Sequence, residues 1–96
     1  MDSNHFEKFN NLFKAIALIE SDRECKSFFE DLCTIKELSD MNQRLEVAKL
    51  LSSGKNYQEI SDLTGASSAT ISRVNKCLTY SSGYKEMIKK LNGENK

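Results

Sequence analysis

Residues 67–76 hold the side chains with the most chemistry to offer. Ser67, Ser68, Thr70 and Ser72 carry hydroxyls, Arg73 and Lys76 carry positive charge, and Ala69 adds no bulk. A helix with small and hydroxyl side chains at its leading end can lie deep in the major groove of a DNA duplex and meet base edges, while cations on its flank hold phosphates. Covalent chemistry has less to work with. The single histidine, His5, stands near the start of the chain, no nucleophile has a base at usable spacing, and there is no glycine-rich phosphate loop or metal-ligand cluster. Cys25, Cys33 and Cys77 share no CxxC spacing and read as small core residues. Neither an enzyme nor a cofactor is expected.

The hydroxyl and cation run needs a scaffold, and the surrounding stretch NYQEISDLTGASSATISRVNK, residues 56–76, has the layout of a helix-turn-helix. A first short helix over 57–64 turns Ile60 and Leu63 inward, with Ser61 as the small residue where two helices approach closely. Gly65 permits the positive φ of the tight turn. Ser67 then caps a second helix whose Ile71, Val74 and Leu78 pack back against the first, leaving Ser68, Ala69, Thr70, Ser72, Arg73 and Lys76 outside.

The remaining segments also show helical spacing. Phe6, Phe9, Phe13, Ile16 and Ala17, widened by Leu12 and Ile19, predict a helix over 4–20. Ser21 and Glu24 form a capping-box pattern before a shorter helix that buries Cys25, Phe28, Phe29 and Leu32. Thr34 and Glu37 repeat the pattern before the longest periodic stretch, 35–53, with Ile35, Leu38, Met41, Leu45, Ala48 and Leu51 on one side, Val47 and Leu50 beside them, and Gly54 in the left-handed position past its end. After the break at Ser81 to Gly83, the spacing of Tyr84, Met87, Ile88 and Leu91 predicts a closing helix over 84–91, with residues 93–96 frayed.

A chain of 96 residues with no proline and four glycines fits one small all-α domain, spanning 1–96. Its formal charge is zero, which favours the alternative of a helical interaction module docking a protein partner. The charge is unevenly placed, however. Residues 1–42 hold five basic and nine acidic side chains, a balance of −4, and residues 43–96 hold the compensating +4. An acidic body with a basic end is compatible with a DNA-facing surface there. The N-terminal residues lack the basic start and apolar run of a secretory signal, and no stretch approaches the ~18 apolar residues of a membrane span, so a cytosolic protein is expected. Five phenylalanines in so short a chain are easier to cover with a second subunit than alone.

The stretches FFEDLCTIKEL (28–38), QRLEVA (43–48) and ATISRVNKCL (69–78) resemble the YerC/YecD group of Trp-repressor-related proteins, and the resemblance runs from the first helix to Tyr84. It implies a bacterial cytoplasmic protein, held on the nucleoid when bound, with a six-helix, Trp-repressor-like chain. It also implies an intertwined homodimer whose helices over 4–53 interlock and whose helix-turn-helix over 57–78 supplies one reading head per subunit. Double-stranded DNA is the implied partner, contacted at base edges by Ser68, Ala69 and Thr70, through water as in the Trp repressor itself. Lys55, Gln58, Arg73 and Lys76 would position the phosphate backbone. Arg44 has two readings, an acidic neighbour or a phosphate, and the resemblance favours the phosphate.

In the tryptophan-responsive members of that superfamily the ligand is held by a threonine and two arginines, which correspond by position to Thr34, Arg44 and Arg73. The glycine that leaves room for the indole corresponds to Val74, and a serine facing the ligand to Cys77. A β-branched side chain in space meant for an aromatic ring opposes binding, so tryptophan is not the expected corepressor, and no other small ligand is indicated. Thr34 has a sufficient role as a helix N-cap.

Overall fold

The computed structural model describes residues 6–93, which form six α-helices and, among the described residues, no strand. The helices are α1 (Asn10–Ala17), α2 (Asp22–Leu32), α3 (Ile35–Ser52), α4 (Tyr57–Thr64), α5 (Ser68–Tyr80) and α6 (Gly83–Leu91). The expected helix start at residue 4, His5 and the frayed residues 94–96 lie outside the described residues. No helix among the described residues is long and apolar enough to cross a membrane.

Local hydrogen bonding explains where the helices stop. The first was expected to run to residue 20, yet α1 ends at Ala17, where the N–H groups of Leu18 and Ile19 fall back onto Ala15 and Ile16 in tighter i to i−3 bonds. The following chain is committed to α2: Ser21 is extended at φ −149° and its Oγ accepts the Glu24 N–H at 3.1 Å. Glu24 does not complete the expected capping box on Ser21; its carboxylate reaches one residue further and accepts the Glu20 N–H at 2.8 Å. At the far end of α3, Lys55 N–H bonds the Leu50 carbonyl and Gly54 N–H the Leu51 carbonyl, both at 3.1 Å, with Gly54 at φ +93°. These two bonds make a Schellman stop with glycine in its left-handed position, as the spacing predicts.

The chain divides into two compact units, residues 1–35 and 36–96. Within 36–96 a single core forms from Val47 and Ala48 of α3, Ile60 of α4, Ala66 of the turn, Ile71, Val74 and Leu78 of α5, and Ile88 of α6, with Leu50, Leu51 and Tyr84 packed against it. Of the predicted stripe on α3, Val47 and Ala48 are fully buried and Leu38, Leu45, Leu50 and Leu51 half-buried, whereas Ile35 is 83% exposed and Met41 is also exposed. Within 1–35 no described side chain is fully buried, although Phe28 and Phe29 meet edge to face at 5.8 Å and Phe6 lies 5.9 Å from Phe13. Cys25 and Cys33 are half-buried, and Cys77, expected in the core, is exposed.

Candidate nucleic-acid interface

The helix-turn-helix is built by a chain of short-range bonds. Asn56 Oδ1 accepts the Glu59 N–H at 2.9 Å while a Glu59 carboxylate oxygen accepts the Asn56 N–H at 3.0 Å, a complete capping box that starts α4 at Tyr57. Its end is fixed by Gly65, at φ +76° and ψ 5°, whose N–H donates to the Ser61 carbonyl at 2.8 Å. Thr64 Oγ1 donates to the Ile60 carbonyl at 2.7 Å and accepts the Ala66 N–H at 3.1 Å. Ala66, 2% exposed, inserts into the core as the chain reverses. Three residues after Thr64, Ser67 is extended and its Oγ accepts the Thr70 N–H at 3.2 Å, which starts α5 at Ser68.

On α5 the inward and outward faces fall nearly as the periodicity predicts. Ile71, Val74 and Leu78 are buried, while Ser68, Ala69, Ser72, Arg73 and Lys76 are exposed. Thr70 departs from the expectation: it is half-buried, and its Oγ1 accepts the Ser67 hydroxyl at 3.1 Å. Leu63 departs further. Predicted inward, it is 65% exposed, because α4 is only eight residues long and directs Ile60 alone into the core; Leu63 lines an open groove with Ser39, Asn42, Gln43, Glu46, Leu50 and Thr64. Gln58, on α4, has its amide donating to Asp62 Oδ1 at 3.0 Å. Lys55 is exposed in the loop before α4.

The ion pairs among the described residues are Lys36 with Asp40 at 3.0 Å and Lys49 with Glu46 at 3.4 Å. Arg44, Lys55, Arg73 and Lys76 thus form none with a described carboxylate, and the first reading of Arg44, an acidic partner, finds no such partner among these residues. Exposed guanidinium groups in that state keep all their donors for an incoming anion.

Arg44 of α3 and Arg73 of α5 line one cleft of about 510 Å³ together with Asp40, Gln43 and Thr70. Every side chain in this lining is polar or charged. Val74 is 1% exposed in the core and Cys77 lines a separate apolar pocket with Leu45, Tyr84 and Met87; neither borders the cleft. Lys55, Gln58 and Lys76 are also outside its lining. Thr34, exposed ahead of α3, belongs to the other unit of the chain.

Sequence reasoning missed Asp40 and Gln43, which on periodicity alone are solvated positions of a long helix. Gln43 Nε2 donates to the Thr64 carbonyl at 3.1 Å, a bond between positions 21 apart that no local pattern announces. It also missed the Asn56 and Glu59 box, whose signal, Asn followed three residues later by Glu, is legible in hindsight.

Comparison with known proteins agrees with the six-helix fold. The sequence profile of the Trp repressor protein family matches residues 7–92. The Bacillus subtilis (strain 168) protein YerC, itself described as uncharacterized, is 45% identical over 87 residues, covering 91% of this chain and 84% of its own length. Among solved structures, a candidate Trp repressor from Staphylococcus aureus superposes with a TM-score of 0.88 at 38% identity, covering 96% of this chain and 95% of that one. A TrpR-like protein from Eubacterium eligens ATCC 27750 superposes with a TM-score of 0.87 at 42% identity, covering 94% of this chain and 96% of that one.

Proposed function

The chain belongs to the Trp repressor family of helix-turn-helix DNA-binding regulators, and from that premise we propose that it is a homodimeric repressor that reads a specific double-stranded sequence in the cytoplasm without responding to tryptophan. The observation that carries the reading is the outer face of α5, where exposed Ser68, Ala69, Ser72, Arg73 and Lys76 stand clear of the core beside a cleft lined by polar and charged residues, Arg44 and Arg73 among them. Ser67 starts that helix, and Ser68, Ala69 and Thr70 meet base edges. Arg73, Lys76, Lys55, Gln58 and Arg44 hold phosphates and set register. Gln58 must exchange its bond to Asp62 for a phosphate to take part.

Tryptophan is unsuited to the cleft because its indole would find no apolar side chain there, and Val74 is already spent in the core. Two guanidinium groups fit a phosphate better. The vestige of a ligand shell, Thr34 with Arg44 and Arg73, is therefore read as an N-cap and two phosphate contacts.

The homodimer is supported by the helices before residue 36, which leave Phe6, Phe9, Leu12, Phe13, Leu18 and Leu32 exposed. In the proposed single domain the segment 4–53 carries the contacts between subunits, 57–78 the reading head and 84–91 the closing helix.

The test is selection of bound fragments from sheared genomic DNA by the purified protein at about 150 mM salt, where non-specific binding is weak. The expected result is a recurring near-palindrome with half-sites about 10 base pairs apart, one helical turn. One observation favours a different reading: Leu63, 65% exposed on α4, is an apolar contact point suited to a protein partner. Absence of any enriched sequence would put that interaction module first.

A further inference from the structure

We infer that Gln43 is the positioning residue of the reading head, fixing the start of α5 relative to α3 through its hydrogen bond to the Thr64 carbonyl. The inference rests on the DNA-reading function proposed above and adds to it a residue that touches no DNA.

Apolar contacts hold α4 and α5 on α3. Val47 and Ala48 meet the core formed by Ile60, Ala66, Ile71 and Val74, and such contacts are non-directional, so they tolerate small slides and rotations. A hydrogen bond does not, because its strength falls steeply with distance and angle. The other side-chain hydrogen bonds described above join residues at most four positions apart, so they shape single helices and turns without relating one helix to another. The Gln43 bond relates α3 to the end of α4.

Its acceptor is well chosen for this purpose. The Thr64 carbonyl is one of the last carbonyls of α4, which have no partner within their own helix. The same residue's hydroxyl accepts the Ala66 N–H at 3.1 Å, and Ser67, the N-cap of α5, follows directly. Two bonds through one residue therefore lead from α3 to the place where α5 begins. Gln43 is half-buried, which limits competition from water. Gln43 also lines the cleft that holds Arg44, Thr70 and Arg73. Reading base edges demands placement to within ~0.5 Å, which packing alone does not guarantee.

The test substitutes Gln43→Met, which keeps the length and removes the donor. Two readouts are measured on the full chain. The first is amide hydrogen exchange at Gly65, Ala66 and Thr70 in the absence of DNA, expected to quicken several-fold while the amides of Val74 and Leu78 keep their rates. The second is binding to the selected sequence and to random duplex across a salt series. The specific affinity is expected to fall about tenfold, random binding to stay unchanged, and the salt slope to stay that of the parent, since no phosphate contact is lost. Unchanged exchange with an unchanged specificity ratio overturns the inference. A salt slope lowered by about one unit also overturns it, by making Gln43 a phosphate contact instead. If the parent protein shows no preferred sequence, it is the DNA-reading function that fails, and exchange at the three turn amides still decides whether Gln43 holds the head.

Discussion

Ser67 Oγ accepts the backbone N–H of Thr70 at 3.2 Å and donates its own hydrogen to Thr70 Oγ1 at 3.1 Å. One serine thereby caps α5 and orients the Thr70 hydroxyl, one of those proposed to meet base edges, leaving the Thr70 hydrogen for an outside acceptor. Ser67→Ala removes both bonds. It should lower stability by about 1 kcal/mol, as loss of an N-cap does, a fall in Tm of roughly 4–8 °C for a chain of this size. Ser67→Asp separates the two roles, because aspartate caps equally well and suits the positive end of the helix dipole. That variant should melt with the parent yet bind DNA more weakly, its carboxylate facing phosphates. Undiminished DNA binding by the aspartate variant would remove this end of α5 from the interface.

Arg44 and Arg73 approach the same cleft from different helices, and neither is engaged by a described carboxylate. Each alanine variant should therefore leave Tm nearly unchanged, as exposed substitutions usually do, and weaken binding to all duplexes alike. The slope of log affinity against log salt should fall by about one for each arginine. Thr70→Ala should behave in the opposite way, altering sequence preference at a constant slope. Binding by Arg73→Ala with the parent's salt dependence would show that this side chain holds no phosphate.

How far the sequence could be read depended on whether the deciding interaction was local. The bounds of α4, the N-cap of α5 and the stop at Gly54 follow from residues within five positions of one another, and all three match the spacing. The inward turn of Leu63 failed because periodicity records which residues share a face and not whether a neighbour covers it; at the end of an eight-residue helix none does. Cys77 failed for the same reason, apolar in type but on an uncovered flank of α5. The pairing of Gln43 with Thr64 and of Arg44 with Arg73 was invisible to spacing because each joins positions more than 20 apart. For the arginines it was the family resemblance that set the two positions in one site.

Gly65 and Gly83 look alike in composition and should respond to alanine with opposite signs. At both, an added Cβ meets nothing within 4 Å, so packing does not enter. Gly65 stands at φ +76°, where an L side chain costs about 1–2 kcal/mol. Gly83 opens α6 without a positive φ, so alanine there restricts only the unfolded chain and should add about 0.4–1 kcal/mol. Urea melts of the two variants decide the matter. A stability gain in Gly65→Ala would mean that the turn does not need its left-handed residue.

The phenylalanines of the first helices bear on the half-sites of the proposed operator. Phe13 remains 46% exposed, and no described side chain before residue 36 is fully buried. Full burial of a Phe side chain is worth about 1.5–3 kcal/mol, and α1, at eight residues, is too short to be stable by its own hydrogen bonds. Both deficits are met if a second copy covers this face. The parent should then sediment at twice its 10.9 kDa chain mass. Phe13→Asp, which would put an unpaired charge into that interface, should sediment as a monomer. Its binding to a two-half-site duplex should drop toward that of a single half-site, because the second contact is no longer delivered by the same molecule. A parent protein that sediments as a monomer at micromolar concentration would exclude the dimer, and the genomic selection should then return single half-sites in place of a near-palindrome.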